Sequence, residues 1–163
     1  MRRSHDPTLF DTAEPEVYLI DSSAWFNIDL RPDRDEVWRN IYGLISEKRI
    51  VVSTEIFDEI RNSTIYDRLR LHEAALKEGD LGSTDLEYLQ LIGKITREHP
   101  SMSRARSRKF AADPYVIALA KLQGYTVVAD ESNARPNRKI PGACRKYGVC
   151  CLTLPEFIER TRK

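Results

Sequence analysis

The sequence predicts an α/β fold, a three-layer α/β/α arrangement around a central, mainly parallel sheet. Two apolar runs carry most of this reading. Val17-Tyr18-Leu19-Ile20 ends on Asp21, and Tyr125-Thr126-Val127-Val128-Ala129 ends on Asp130-Glu131. Val, Tyr, Leu and Ile suit buried strands, and a carboxylate must lie at the end of such a strand, because a bare buried charge is too costly. The third observation is order. Strand-like runs alternate with helical stripes along the chain, which is the pattern of a parallel sheet covered by helices.

Each element has a local reason. Residues 1–16 are polar and read as a flexible tail, leaving 17–163 as a single domain. After the first strand, Asp33-Arg34-Asp35-Glu36 has the spacing of a capping box, and Val37, Ile41, Leu44 and Ile45 follow at helical intervals. Arg49 to Val52 is a second short strand, and Ser53 caps a helix carrying Ile56, Phe57 and Ile60. Ile65, Leu69 and Leu76 mark one helix closed by Gly79. Thr84-Asp85-Leu86-Glu87 offers another capping box, ahead of a stripe of Leu86, Leu89, Ile92 and Ile95 that Pro100 stops. Asp113-Pro114 opens a helix as N-cap and first-turn proline, and Gly124 ends it. The strand from Tyr125 to Ala129 follows. A short helix, Pro141 to Tyr147, precedes a last strand, Val149 to Leu152, and Thr153-Leu154-Pro155-Glu156 caps the closing helix.

Composition narrows the class. A chain of 163 residues with 41% hydrophobic residues can bury a core as one domain. No apolar stretch is long enough to span a bilayer, and the polar N-terminus lacks a secretory signal, so a cytoplasmic location is expected. Cys144, Cys150 and Cys151 are odd in number, two of them adjacent, and do not read as a structural disulfide framework. His5, His72 and His99 show no zinc-ligand spacing to them. Charge is uneven. Residues 1–100 hold 13 Lys and Arg against 20 Asp and Glu, net −7, while residues 101–163 hold 13 against 5, net +8. A basic final third suggests a local anionic partner such as nucleic acid, or attraction between the two parts of the chain.

In an open parallel sheet, ligands bind at the C-terminal edge of the strands. Asp21, Glu59, Asp113 and the Asp130-Glu131 pair all map to that edge, and Glu55 shares a helix face with Glu59. Singly, Asp113 reads equally as a cap and Asp21 as a turn residue. Together they point to a shared cation, since clustered carboxylates otherwise repel one another. Hard divalent cations take such oxygen ligands, and a metal there activates water and neutralises a phosphodiester. No Ser-His-Asp, Walker or GxGxxG pattern competes. Arg104, Arg106, Arg108 and Lys109 lie just before Asp113 and read either as a solvated loop or as phosphate contacts.

These motifs, in this order, resemble the PIN-domain ribonucleases, the fold of VapC-type toxins. The opening strand with Asp21 and Ser22 is similar to theirs, as are Ser53 to Glu59, Ala112-Asp113-Pro114-Tyr115-Val116-Ile117-Ala118, and Val127 to Glu131. The ending, Ile140 through Phe157, resembles a less characterised PIN-like branch found near toxin–antitoxin genes. The resemblance covers most of residues 17–159 and is weak between about 61 and 110. It implies a PIN-like, Rossmann-like topology and a Mg²⁺- or Mn²⁺-dependent endoribonuclease, the toxin of a type II toxin–antitoxin pair. By the same resemblance, Asp21, Asp113 and Glu131 hold metal, Glu59 and Glu131 or Asp130 act directly or through water, and Ser22 supports the first carboxylate. RNA is the implied substrate, an antitoxin the implied partner, and a homodimer is left open. Two positions depart from the family. Ala129 stands where it has Thr, and the last acid falls at Glu131 by register, with Asp130 beside it. Glu55 matches no family position. A non-catalytic PIN-like binding or scaffold protein is the alternative reading.

Overall fold

The computed structural model describes residues 14–100, 112–130 and 140–162. It is an α/β protein whose sheet has four parallel strands, β1 (Tyr18–Ile20), β2 (Ile50–Val51), β3 (Thr126–Val128) and β4 (Cys151–Leu152), in the order β2-β1-β3-β4. Leu19 pairs with Val51 on one side and Val127 on the other, and Val127 pairs with Cys151. Every residue of β1 and β3 is buried, which is why neither run alternates; the one polar residue, Thr126, donates its hydroxyl to Glu16.

Helices cover both faces. The first is α1 (Ser22–Asp29), followed by α2 (Arg34–Ser46), α3 (Thr54–Ile60), α4 (Thr64–Leu69), α5 (Glu73–Leu76), α6 (Leu86–Glu98), α7 (Asp113–Gln123), α8 (Ile140–Tyr147) and α9 (Leu154–Thr161). Packing joins α1 to α2 and α9, and α7 to α6 and α8. In the core, Trp25 of α1 stacks on Trp38 of α2 at 5.7 Å between ring centroids, and Tyr18 meets Phe157 edge-on at 5.0 Å. Among the described residues, no helix is long and apolar enough to cross a membrane.

The structure revises several local expectations. Residues 22–29 form a helix that the strand-to-helix reading passed over. Asp33 does not cap α2, because Arg31 takes both its oxygens at 2.7 and 2.9 Å, a bidentate pair stronger than a cap bond. Asp85, not Thr84, caps α6, accepting from Tyr88 N at 2.9 Å. The helix expected through Leu76 breaks at a 3₁₀ turn, Arg70–His72, between α4 and α5. The capping boxes fare unequally, and only Thr153 with Glu156 forms one in full. Glu16, placed in the tail by sequence, is tied down by Tyr18 and Thr126 hydroxyls, each at 2.8 Å, and by Arg160 at 3.0 Å.

Candidate active site

Strand order decides where a ligand can enter. From β1 the chain first moves outward to β2, then returns to the other side of β1 to lay down β3 and β4. The direction of winding reverses between β1 and β3, and such a switch point is where open α/β sheets place their ligands. Asp21 follows β1 and Asp130 follows β3, so both acids stand at that switch point. The strands are still joined there, with Asp21 N donating to Val128 O at 2.9 Å.

The first turn of α1 organises the acids. Asp21 is its N-cap, 2% exposed, and its Oδ2 accepts from Ser23 N at 3.1 Å and Ser23 Oγ at 2.7 Å. Ser23 Oγ in turn accepts from Asp130 N at 3.2 Å. One turn further along α1, Asn27 Nδ2 donates to Asp130 Oδ2 at 2.9 Å and to its carbonyl oxygen at 3.3 Å. Ser22 points another way and donates to Glu59 Oε2 at 2.5 Å. Glu59 Oε1 accepts from Ala112 N at 3.3 Å. Glu59 thus bonds to the residue after Asp21 and to the residue before Asp113, and draws the ends of three segments together.

Asp113 is the first residue of α7 rather than its N-cap, a position held by Ala112. Its charge therefore sits against the unsatisfied amides of the helix start, with Pro114 completing the turn. Ala129, where a Thr hydroxyl was a point of difference, is buried at 1% exposure. Glu131, Arg104, Arg106, Arg108 and Lys109 lie outside the described residues.

Glu55 and Glu59 are one turn apart on α3 but have different surroundings. Glu59 belongs to the network around Ser22. Burial pushes the Glu55 carboxyl above its ordinary range, and the charges of Asp80 and Asp58 add to this. Glu55 Oε2 and Tyr88 Oη are both buried without a hydrogen-bond partner among the described residues.

Ser23 and Asn27 did not emerge from the sequence as site residues. The available signal was the spacing of Ala24, Trp25 and Ile28, which marks residues 22–29 as a helix with one buried face. Once that helix is drawn, Ser23 and Asn27 fall one turn apart on a common face.

Among the described residues, no three His, Cys, Asp or Glu side chains gather closely enough to hold a metal ion by themselves. Mg²⁺ commonly takes one or two carboxylates and completes its octahedron with water. The hard oxygen donors of Asp21 and Asp113 at this edge match that chemistry.

Compared with known proteins, residues 18–163 match a family model described as a domain of unknown function, DUF4411. No curated protein matches the chain.

Proposed function

We propose, for a chain that belongs to the DUF4411 family, a divalent-cation-dependent ribonuclease that hydrolyses RNA phosphodiesters at the C-terminal edge of its sheet. The observation that supports it is the hydrogen-bonded network in which Ser22, Ser23, Asn27 and Ala112 hold Asp21, Glu59 and Asp130 at the C-terminal ends of β1 and β3. Its order of acids is the one that resembles PIN-domain nucleases, including VapC-type toxins.

In this reading Asp21 and Asp113 hold a Mg²⁺ or Mn²⁺ ion, and Glu131 completes the set by its match to the family. When bound, such an ion supplies a more acidic water and positive charge against the phosphate. Ser23 orients Asp21 by accepting one contact and donating another, so the carboxylate stays fixed on its helix. Ser22 and Ala112 hold Glu59 by donating to its two oxygens, and Glu59 would order water at the same edge. Arg104, Arg106, Arg108 and Lys109 offset the repulsion between this acidic edge and an RNA backbone. An antitoxin would reach the same edge with an Arg side chain, which pairs with carboxylates through two parallel hydrogen bonds.

The test incubates the purified protein with total RNA and with single-stranded DNA, in Mg²⁺, Mn²⁺ or EDTA, beside Asp21→Asn. Metal-dependent RNA cleavage that the variant lacks is the expected result. No cleavage in any metal, or equal cleavage by the variant, overturns the proposal. RNA bound but never cut would favour a non-catalytic binding protein. That second reading draws on the fact that both Glu59 oxygens, and Oδ2 of Asp130, already accept hydrogen bonds as structural struts. Growth arrest on expression, relieved by a co-expressed neighbouring protein, tests the toxin role.

A further inference from the structure

Three helices of this fold hand the chain to a strand through the same turn. Before β2, Arg49 N donates to Leu44 O at 2.8 Å. Before β3, Tyr125 N donates to Ala120 O at 3.0 Å, and before β4, Val149 N donates to Cys144 O at 2.8 Å. The residue ahead of each donor is left-handed: Lys48 at φ 57°, Gly124 at 72° and Gly148 at 67°. This closure of a helix C-terminus fixes how the departing chain lies against the last helical turn. The residue that accepts the bond and the strand residue seven positions later therefore hold the same relation at all three junctions. At the first two, those residues are Leu44 with Val51 and Ala120 with Val127, all buried and apolar. At the third they are Cys144 and Cys151.

The Cys151 side chain is the neighbour that acts most strongly on the Cys144 thiol, and none of the three cysteines is in a disulfide. Cys144 is fully buried on α8, Cys151 is partly exposed on β4, and Cys150 is exposed. Two sulfurs brought together by a rigid turn need little backbone movement to join.

We propose that Cys144 and Cys151 form a redox pair that closes into a reversible disulfide, linking α8 to β4, in the presence of a low-molecular-weight disulfide. Cys144 is fully buried and Cys151 partly exposed, so Cys151 is the first to meet the added disulfide. Its thiolate attacks one sulfur of the added disulfide, forming a mixed disulfide and expelling one thiolate. The Cys144 thiol then gives its proton to a solvent base, and its sulfur attacks Sγ of Cys151, expelling the second thiolate. The two cysteines are oxidised and the added disulfide is reduced to two thiols. The step needs neither RNA nor metal, so it stands apart from the nuclease reading.

The test treats the full chain with oxidised glutathione, alkylates remaining thiols and records the intact mass without reductant. Cys150→Ser removes the competing exposed thiol. This variant should lose two hydrogens, carry no glutathione, take up no alkylating agent, and return to its starting mass with dithiothreitol. Trypsin cuts after Arg145 and Lys146, so the product should contain peptide 140–145 joined to peptide 147–160. Adding Cys144→Ala should leave glutathione trapped on Cys151. A Cys150→Ser protein that keeps two alkylatable thiols, or carries glutathione with no joined peptides, overturns the proposal. That measurement decides the matter even where the Cys144→Ala variant does not fold.

Discussion

Ser22 Oγ donates to Glu59 Oε2 at 2.5 Å, joining residues 37 apart in sequence and tying the first turn of α1 to the face of α3. A hydrogen bond to a charged acceptor contributes more than a neutral one, about 1.5–3 kcal/mol. Ser22→Ala should lower stability at the low end of that range and reduce RNA turnover, while RNA affinity measured in EDTA stays unchanged. Ser22→Thr, which keeps the hydroxyl, should restore turnover. Equal turnover by Ser22→Ala and the wild type would remove Ser22 from the positioning of Glu59.

Asp21 is the N-cap of α1, and in the proposed function it is also a metal ligand, two duties that substitution can separate. Asn caps a helix about as well as Asp, whereas Ala costs about 1 kcal/mol. Asp21→Asn should therefore unfold in urea near the wild-type midpoint and still fail to cut RNA. Asp21→Ala should lose both stability and activity. Full activity in Asp21→Asn would mean that the cap alone matters.

Glu55 and Tyr88 give a contrasting pair. The raised Glu55 carboxyl means that folding favours its protonated form. Its stabilising share is complete below the ordinary carboxyl value of 4.5 and is lost as pH rises through the higher folded value. At neutral pH Glu55→Gln should therefore raise the thermal midpoint and leave cleavage largely intact, whereas Glu59→Gln should abolish cleavage. Tyr88→Phe removes a buried hydroxyl without a partner, so stability should hold or rise by about 1 kcal/mol. Inverted activities for the two Glu variants would show that the α3 register is wrong.

Glu16 should make the fold sensitive to acid. Burial opposes its ionisation, but hydrogen bonds from Tyr18 and Thr126 and the Arg160 guanidinium prevail and hold the carboxyl below 4.5. A depressed folded value contributes stability above 4.5 that disappears as pH falls through it. Thermal midpoints should drop across that acidic range, and Glu16→Gln should flatten the drop while lowering the midpoint at neutral pH. Parallel curves for the two proteins would refute the role.

The sequence by itself determined the strands, their carboxylate ends and the parallel sheet, because these depend on local patterns. A continuous apolar run marks a strand buried on both faces, and an acid directly after it ends the strand; Asp21 does so while 2% exposed, because Ser23 supplies its hydrogen bonds. It also placed Ser53 and Thr153 as caps, since a cap is a contact between near neighbours. Tertiary structure alone decided which donor each acid takes. Glu59 went to Ser22, 37 residues away, and Asp130 went to Asn27, a contact between residues 103 apart that no spacing rule encodes. Glu55 and Glu59 have the same periodicity on α3, yet packing gave Glu59 the hydroxyl of Ser22 and left Glu55 half-buried near the charge of Asp80. Such choices follow from desolvation and from which elements meet, and both exist only once the helices are laid on the sheet.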